Sequence, residues 1–453
     1  MIPSHLDLSV EKPAAGGRMV ARHEGQIVLV AGAIPGERVH ARVERASKGV
    51  IFATTVDVLS PSSDRRSFYG DLLCGGNVYA HITYARQLEI KAAVIADAFA
   101  RIARVPLPTV RSPESGARSP GSEVRSPKSE VRAGTVHVTG SEERGYRMRA
   151  RLHVRDGRIG FYREGTHDLC DPAATGQLLP QTLEVLHRCE TALRHERVTG
   201  VTSLELSENM PGDERALHFE IDRAVDLSRV ADETGPGLTG LGYSGPFSGA
   251  PAVVFGTPVV SDRVLVVTKV GEHAMTLQRN VCAFFQGNRY LLPMLLSRVV
   301  SLVDAGPVID LYAGVGLFGV ALAACGRSGV TAVEGDRVSA QDLKANAAPY
   351  GSAIETVHQP VEGFLATRRA SPDATLIVDP PRTGMSREAL AGVVALGARA
   401  VVYVSCDMAT LARDVRRLVD AGYVMEHVEG FDLFPNTAHV EAVVKMRKVR
   451  AQD

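Results

Sequence analysis

From about Leu291 onward the chain alternates short apolar runs with stretches of helical period, and this rhythm restricts the fold more than any other feature of its 453 residues. Val308-Ile309, Val330 to Val333, Thr375 to Val378 and Ala400 to Val404 read as strands buried on both faces. Their alternation with helices implies a mainly parallel sheet wrapped on both sides, finished by a hairpin of Glu426 to Asp432 with Ala442 to Met446. Such sheets bind ligands beyond the carboxyl ends of their strands. At those ends stand Asp310-Leu311-Tyr312-Ala313-Gly314-Val315-Gly316, Asp379-Pro380-Pro381-Arg382 and Ser405-Cys406-Asp407.

The preceding residues divide by pattern. Residues 1–63 alternate short apolar runs with turn signals, which suits a small antiparallel β-barrel ending near Ser60-Pro61-Ser62-Ser63. Tyr84 to Arg104 has helical period, with Leu88, Ala92, Ile95, Phe99 and Ile102 near one face and Arg86, Glu89 and Lys91 between them. Residues 111–132 are three copies of a seven-residue unit with a proline in each, followed by Arg132, too polar to repay ordering, and read as a disordered insertion. Gly145 to about Leu277 mixes strand-like runs with a helix around Leu179 to Leu193. The expected partition is therefore a barrel (1–63), a central α+β domain (64–280) and a Rossmann-like α/β domain (281–453).

Basic and acidic residues both number 51, so the overall balance carries no sign of a nucleic-acid partner. Locally, Arg144, Arg147, Arg149, Arg151, Arg155, Arg158 and Arg163 face one acid, Asp156, which suits either a phosphate-binding surface or a solvated strand pair. The amino terminus has no basic start or apolar run, and no stretch approaches the roughly 18 apolar residues of a membrane span, so a cytoplasmic protein with no membrane partner is expected. Cys74, Cys170, Cys189, Cys282, Cys325 and Cys406 show no Cys-x-x-Cys spacing and are expected to be reduced thiols with no metal site.

Gly314-Val315-Gly316-Leu317-Phe318-Gly319 matches G-x-G-x-x-G, and Glu334 follows about 20 residues later, where it could accept both hydroxyls of a ribose. That pattern serves NAD and S-adenosylmethionine equally. Asp310, an acid ahead of the glycines, suits the charged amino-acid end of S-adenosylmethionine better than a pyrophosphate. In Asp379-Pro380-Pro381-Arg382 the prolines stiffen the backbone so that Asp379 projects over the pocket. Cys406 lies just outside its apolar run, and Glu441 beside His439 just before another. A thiol and a carboxylate beside a methyl donor suit methylation of a pyrimidine. Carbon 5 becomes nucleophilic once a thiolate adds to carbon 6, and a base must then remove the carbon 5 proton.

With those motifs in view, the chain resembles the S-adenosylmethionine-dependent RNA uracil-5-methyltransferases. The resemblance rests on GGRMVARHEGQIVLVAGAIPGERV, which looks like a TRAM domain, on GYRMRARL, and on FFQGN, DLYAGVG, LIVDPPRTGM, YVSCDMATLARDV and FPNTAHVE. It implies a class I methyltransferase fold with Gln286, Tyr312, Glu334 and Asp379 at S-adenosylmethionine, Cys406 as nucleophile and Glu441 as proton acceptor. It also implies an RNA substrate, ribosomal RNA first and transfer RNA as the alternative, and a monomer. Many members hold a four-iron, four-sulfur cluster on a Cys-x5-Cys-Gly-Gly-Cys run and a later cysteine. Here the aligned run, Phe68 to Asn77, keeps only Cys74, and the later position falls near Thr175, so the cluster is expected to be absent. Met408 replaces the usual proline. Two rival readings are a non-catalytic RNA-binding protein of this fold, opposed by the intact Cys406 and Glu441, and an oxidoreductase, which rests on the glycine pattern alone.

Overall fold

The computed structural model describes residues 3–108, 136–246, 251–368 and 371–449, so the repeat at 111–132 lies outside the described residues. His5–Pro13, Met19–His23, Gln26–Ala31, Arg38–Ser47 and Val50–Ser60 close into a barrel. Alternation drives closure: Leu6, Leu8 and Val10 are buried while Asp7, Ser9 and Glu11 face water. The barrel is not wholly antiparallel as expected, because Gln26–Ala31 and Val50–Ser60 run parallel. The strand between them in sequence, Arg38–Ser47, pairs across to His5–Pro13 before the chain returns.

A seven-stranded sheet follows, in the order Ala252–Gly256, Gly240–Ser244, Arg215–Ile221, Val201–Glu208, Arg149–Arg155, Arg158–Tyr162, Leu169–Cys170. The helices Pro180–His195 and Ser228–Thr234 share its core, with Val185, Leu186, Leu193 and Val230 against Leu204, Leu206 and Leu217. The third sheet has eight strands in the order Ile354–His358, Val330–Glu334, Val308–Leu311, Thr375–Val378, Ala400–Ser405, Glu441–Lys448, Tyr423–Phe431, Val138–Thr139. The first five are parallel, as the apolar runs imply, and Glu441–Lys448 inserts antiparallel beside Ala400–Ser405. Strand order reverses between Val308–Leu311 and Thr375–Val378, which opens the ligand crevice there.

The cores do not divide near residues 64 and 280. Ile95, Phe99 and Val138 are buried with Val428 and Val440 of the third sheet. The hairpin Val259–Thr268 with Gly271–Asn280 buries Val264, Val266, Met275 and Leu277 against the helix Leu292–Leu302 and Leu317. The helix over Tyr84–Ala98 continues into a π-turn, Phe99–Ala103. That wider turn shifts the helical register, so Ile102 is exposed rather than on the buried face. Lys91, expected among the solvated charges, is buried and paired with Asp432 at 2.5 Å.

The expectation of six reduced thiols is also corrected. Cys74 and Cys170, 96 residues apart, form a disulfide with Cα atoms 5.9 Å apart, while Cys189, Cys282, Cys325 and Cys406 are free. No spacing signature announces so distant a pair. A cross-link closing a loop of this length contributes about 2–4 kcal/mol, so mild reductant should lower the melting temperature by several degrees. Calorimetry with and without reductant checks this; an unchanged transition would show that the bond carries no load. No helix among the described residues is long and apolar enough to cross a membrane.

Candidate active site

The crevice is built on the strand Val308–Leu311. Directly after it Tyr312 takes a left-handed backbone conformation, φ 61°, and Gly316 does so at φ 97°. A side chain at Gly316 would meet Val320 and Leu343 at under 3 Å, so the turn into the helix Leu317–Ala324 requires glycine there. Glu334, at the end of the neighbouring strand, accepts hydrogen bonds from the N–H groups of Gly314 and Asp336, both at 2.7 Å. Each of its oxygens keeps a further lone pair for a ligand.

Gln286, Tyr312, Gly314 and Asp379 line one cleft with the apolar side chains of Phe284, Phe285, Leu317 and Phe318. Gln286 Nε2 donates to Asp379 Oδ2 at 3.2 Å. Burial pushes the Asp379 carboxyl up to about 7. Asp310, expected at the ligand, is instead fully buried beneath the turn, where Oδ2 accepts from Gly319 N–H at 2.8 Å and Oδ1 has no partner. Burial, with the Asp379 and Glu334 charges, pushes it up to about 8. The acid that faces the cleft is Asp379.

The donor set fits S-adenosylmethionine. Apolar walls can enclose an adenine, Glu334 can hold a ribose, and the desolvated Asp379 carboxyl can meet an ammonium. Among the described residues no lysine or arginine lines the cleft, which disfavours a pyrophosphate. Asp379 is largely protonated below about pH 7, so an ammonium meets a charge only above it. S-Adenosylmethionine affinity should therefore weaken by up to roughly tenfold per unit as pH falls below 7. Calorimetric titration at several pH values checks this, and Asp379→Asn should abolish the dependence.

Cys406 and Glu441 meet through sheet register. Ser405 pairs with Ala442, which sets the following residue, Cys406, opposite the preceding one, Glu441, at the open end of the two strands. Glu441 is buried, and burial with the nearby Asp379 charge raises its carboxyl well above the ordinary range. Burial chiefly, then the Glu441 charge, pushes the Cys406 thiol up to about 12. Two features oppose that shift. Arg382 hydrogen-bonds the thiol and attracts its thiolate, and Asp407 caps the helix Met408–Asp420 by accepting from Thr410 N–H at 2.8 Å, which places Cys406 at a helix amino terminus. Nothing in the local sequence of Asp379-Pro380-Pro381-Arg382 indicates that Arg382 meets a thiol some two dozen residues further on.

The turn leading to Glu441 is held from a distance. Asn436, at φ 64°, accepts at Oδ1 from Arg66 Nη2 (2.7 Å) and Gln87 Nε2 (2.9 Å), and its N–H donates to Gln87 Oε1. Lys91 reaches Phe434 O at 3.1 Å. These anchors lie some 350 residues away in sequence, and no local pattern could reveal them. The arginine cluster also changes character. Arg149 and Arg151 pair with Glu205, Arg155 with Asp168 and Arg163 with Asp71, and Arg147 is largely enclosed, bonded to Gln177. Among the described residues Arg144 and Arg158 alone of the seven have neither an ion-pair partner nor a hydrogen bond from the guanidinium.

The positions implied for an iron-sulfur cluster do converge. Phe68, Asn77 and Thr175 line one cavity, but Cys74 is bonded to Cys170. A cluster of this kind needs several thiolates, and these residues do not fit one. Among the described residues, the one group of three or more His, Cys, Asp or Glu side chains close enough to share an ion is His195, Glu196 and Glu233, elsewhere on the surface.

Residues 371–449 match the tRNA (uracil-5-)-methyltransferase family model, and residues 3–56 match the TRAM domain. An uncharacterized RNA methyltransferase of Streptomyces avermitilis is 30% identical over 463 residues, 96% of each chain. The 23S rRNA (uracil(1939)-C(5))-methyltransferase RlmD of Pseudomonas putida is 29% identical over 455 residues, 96% of this chain and 92% of that one. Among solved structures, the Pyrococcus abyssi tRNA (uracil-54, C5)-methyltransferase in complex with S-adenosyl-L-homocysteine superposes with a TM-score of 0.71 at 21% identity, covering 97% of this chain and all of that one, and so shares its fold.

Proposed function

We propose that this chain, which belongs to the TRAM-containing RNA uracil-5-methyltransferase family, methylates carbon 5 of a uridine in folded RNA through a covalent adduct between Cys406 and the base. The observation that supports the reading is the register that sets Cys406 opposite Glu441, both close enough to feel the charge of Asp379, which lines the cleft with Gln286 and Tyr312. S-Adenosylmethionine, held by Gln286, Tyr312, Glu334 and Asp379, supplies an electrophilic methyl group.

The chain's own groups do the rest. Cys406 releases its thiol proton to water and its sulfur bonds to carbon 6 of the uracil, sending the pair of the 5,6 double bond to carbon 5 and the carbonyl. Arg382 and the helix amino terminus stabilise the thiolate. After carbon 5 has taken the methyl group, Glu441 accepts the carbon 5 proton, the double bond re-forms and the carbon–sulfur bond breaks, returning the thiolate. Burial suits Glu441 to this step because it raises the proton affinity of the carboxylate. The base must leave its stack to reach Cys406, which favours a loop in folded RNA over a regular duplex. Similarity along nearly the whole chain to a protein named for 23S ribosomal RNA supports ribosomal over transfer RNA. No step uses an iron-sulfur cluster.

Incubation with S-adenosylmethionine and, separately, a 23S ribosomal RNA transcript and total transfer RNA, followed by nucleoside mass spectrometry, tests the function. 5-Methyluridine in the 23S transcript is expected. Its appearance in transfer RNA alone would move the substrate, and its absence from both would contradict the reading.

A further inference from the structure

Where cluster-bearing members of the family carry cysteines, this chain has a polar cavity of about 280 Å³, near the small end of ligand-site volumes. Its walls come from distant segments: Arg66 and Phe68, Asn77, Glu143 and Arg144, Thr175, and Asn436. Arg66 is held by Glu143 and Asn436. Arg144 is exposed and has no acidic partner among the described residues. Two arginines against one glutamate leave a single net positive charge, enough for one phosphate beside a neutral group but poor for a cluster of phosphates. The neutral group can be a base. Phe68 lines the cavity, and Tyr69, the following residue in the chain and outside the cavity wall itself, is 99% exposed, an aromatic ring in water with nothing packed on it. Asn436 also belongs to the turn that leads to Glu441, so the cavity adjoins the segment that carries the base of the reaction.

We propose that this cavity is an accessory RNA subsite, which holds an unpaired nucleotide near the reacting uridine with its base against Phe68 and Tyr69 and its phosphate at Arg144. Aromatic side chains beside a lone cation are the means by which proteins hold single-stranded nucleotides without reading their sequence. The Cys74–Cys170 disulfide ties one wall, residues 66–82, to the end of the central sheet, the strand Leu169–Cys170 that leads into Thr175. The inference rests on the reading that RNA is the substrate, but not on the covalent mechanism.

The test compares Tyr69→Ala, Tyr69→Trp, Phe68→Ala and Arg144→Ala with the parent enzyme on a 23S ribosomal RNA transcript. Tyr69 is so exposed that its replacement cannot unfold the chain. Tyr69→Ala and Phe68→Ala should raise KM for RNA about tenfold or more, with kcat, S-adenosylmethionine affinity and melting temperature unchanged, and Tyr69→Trp should restore the parental KM. Arg144→Ala should flatten the log-log salt dependence of RNA binding by about 0.7, the share of one single-strand phosphate. A parental KM in both aromatic variants would overturn the subsite, as would failure of Tyr69→Trp to rescue. Adenosine 5′-monophosphate separates the sources: millimolar nucleotide should leave the melting temperature unchanged, and a rise that Phe68→Ala removes would mark a free-nucleotide pocket and overturn the RNA assignment. Methylation that survives Cys406→Ala would sink the covalent mechanism while leaving the Tyr69 comparison intact, so the two failures are distinguishable.

Discussion

Cys406→Ala should abolish methyl transfer, by at least about a thousandfold, while binding S-adenosylmethionine and RNA as tightly as the parent. The thiol makes the one bond that turns carbon 5 into a nucleophile, and nothing else at the open end of Ala400–Ser405 can replace it. Ser405 is buried and its hydroxyl is engaged with Asp407. The cofactor cleft is lined by other residues, so its affinity is independent of the thiol. Filter binding, calorimetric titration and labelled-methyl transfer on the same preparation separate these quantities. Residual turnover above the thousandfold limit would require another nucleophile.

Glu441→Gln should behave differently. Addition and methylation remain possible, but the methylated adduct keeps its carbon 5 proton and cannot expel the thiolate, so turnover should fall by on the order of 10²–10⁴. A protein–RNA species that survives denaturing electrophoresis should accumulate with methyl label in it. The amide is nearly isosteric, and Ala442 and its neighbours keep their pairing with Ala400–Ser405, so a folding defect is not expected. Normal turnover with no such species would remove Glu441 from the role of base.

What the sequence made legible was local. Leu376–Val378 and Ala400–Val404 are continuous apolar runs, and their burial on both faces follows from composition alone. The motif residues at their ends were legible because the carboxyl edge of a parallel sheet is where a chain of this type places chemistry. The non-local part was not. Lys91 reads as a solvated charge until Asp432, 341 residues away, is beside it. Arg149 and Arg151 read as a basic surface until Val201–Glu208 brings Glu205 between them. Asp310 reads as a ligand-facing acid, yet strand alternation turns it under the glycine turn to hold Gly319. Cys74 and Cys170 become partners only because the segment carrying Cys74 crosses to the edge of the central sheet.

These misplacements share a cause. Each concerns a side chain whose partner comes from another strand, helix or loop, and burial of a charge is set by that partner rather than by its neighbours in sequence. Apolar period says which residues turn inward. It does not say which charges are neutralised there, and in this chain those charges hold the turn before Glu441.

The most direct measurement of the central claim uses RNA made with 5-fluorouridine, whose carbon 5 carries no removable proton, so a methylated adduct cannot be released. Incubation with the parent enzyme and S-adenosylmethionine, then nuclease and protease digestion and mass spectrometry, should find methylated fluorouridine on the peptide containing Cys406 and on no other. Ready methylation of ordinary uridine by the same preparation, with no adduct on any cysteine from the fluorinated RNA, would contradict it.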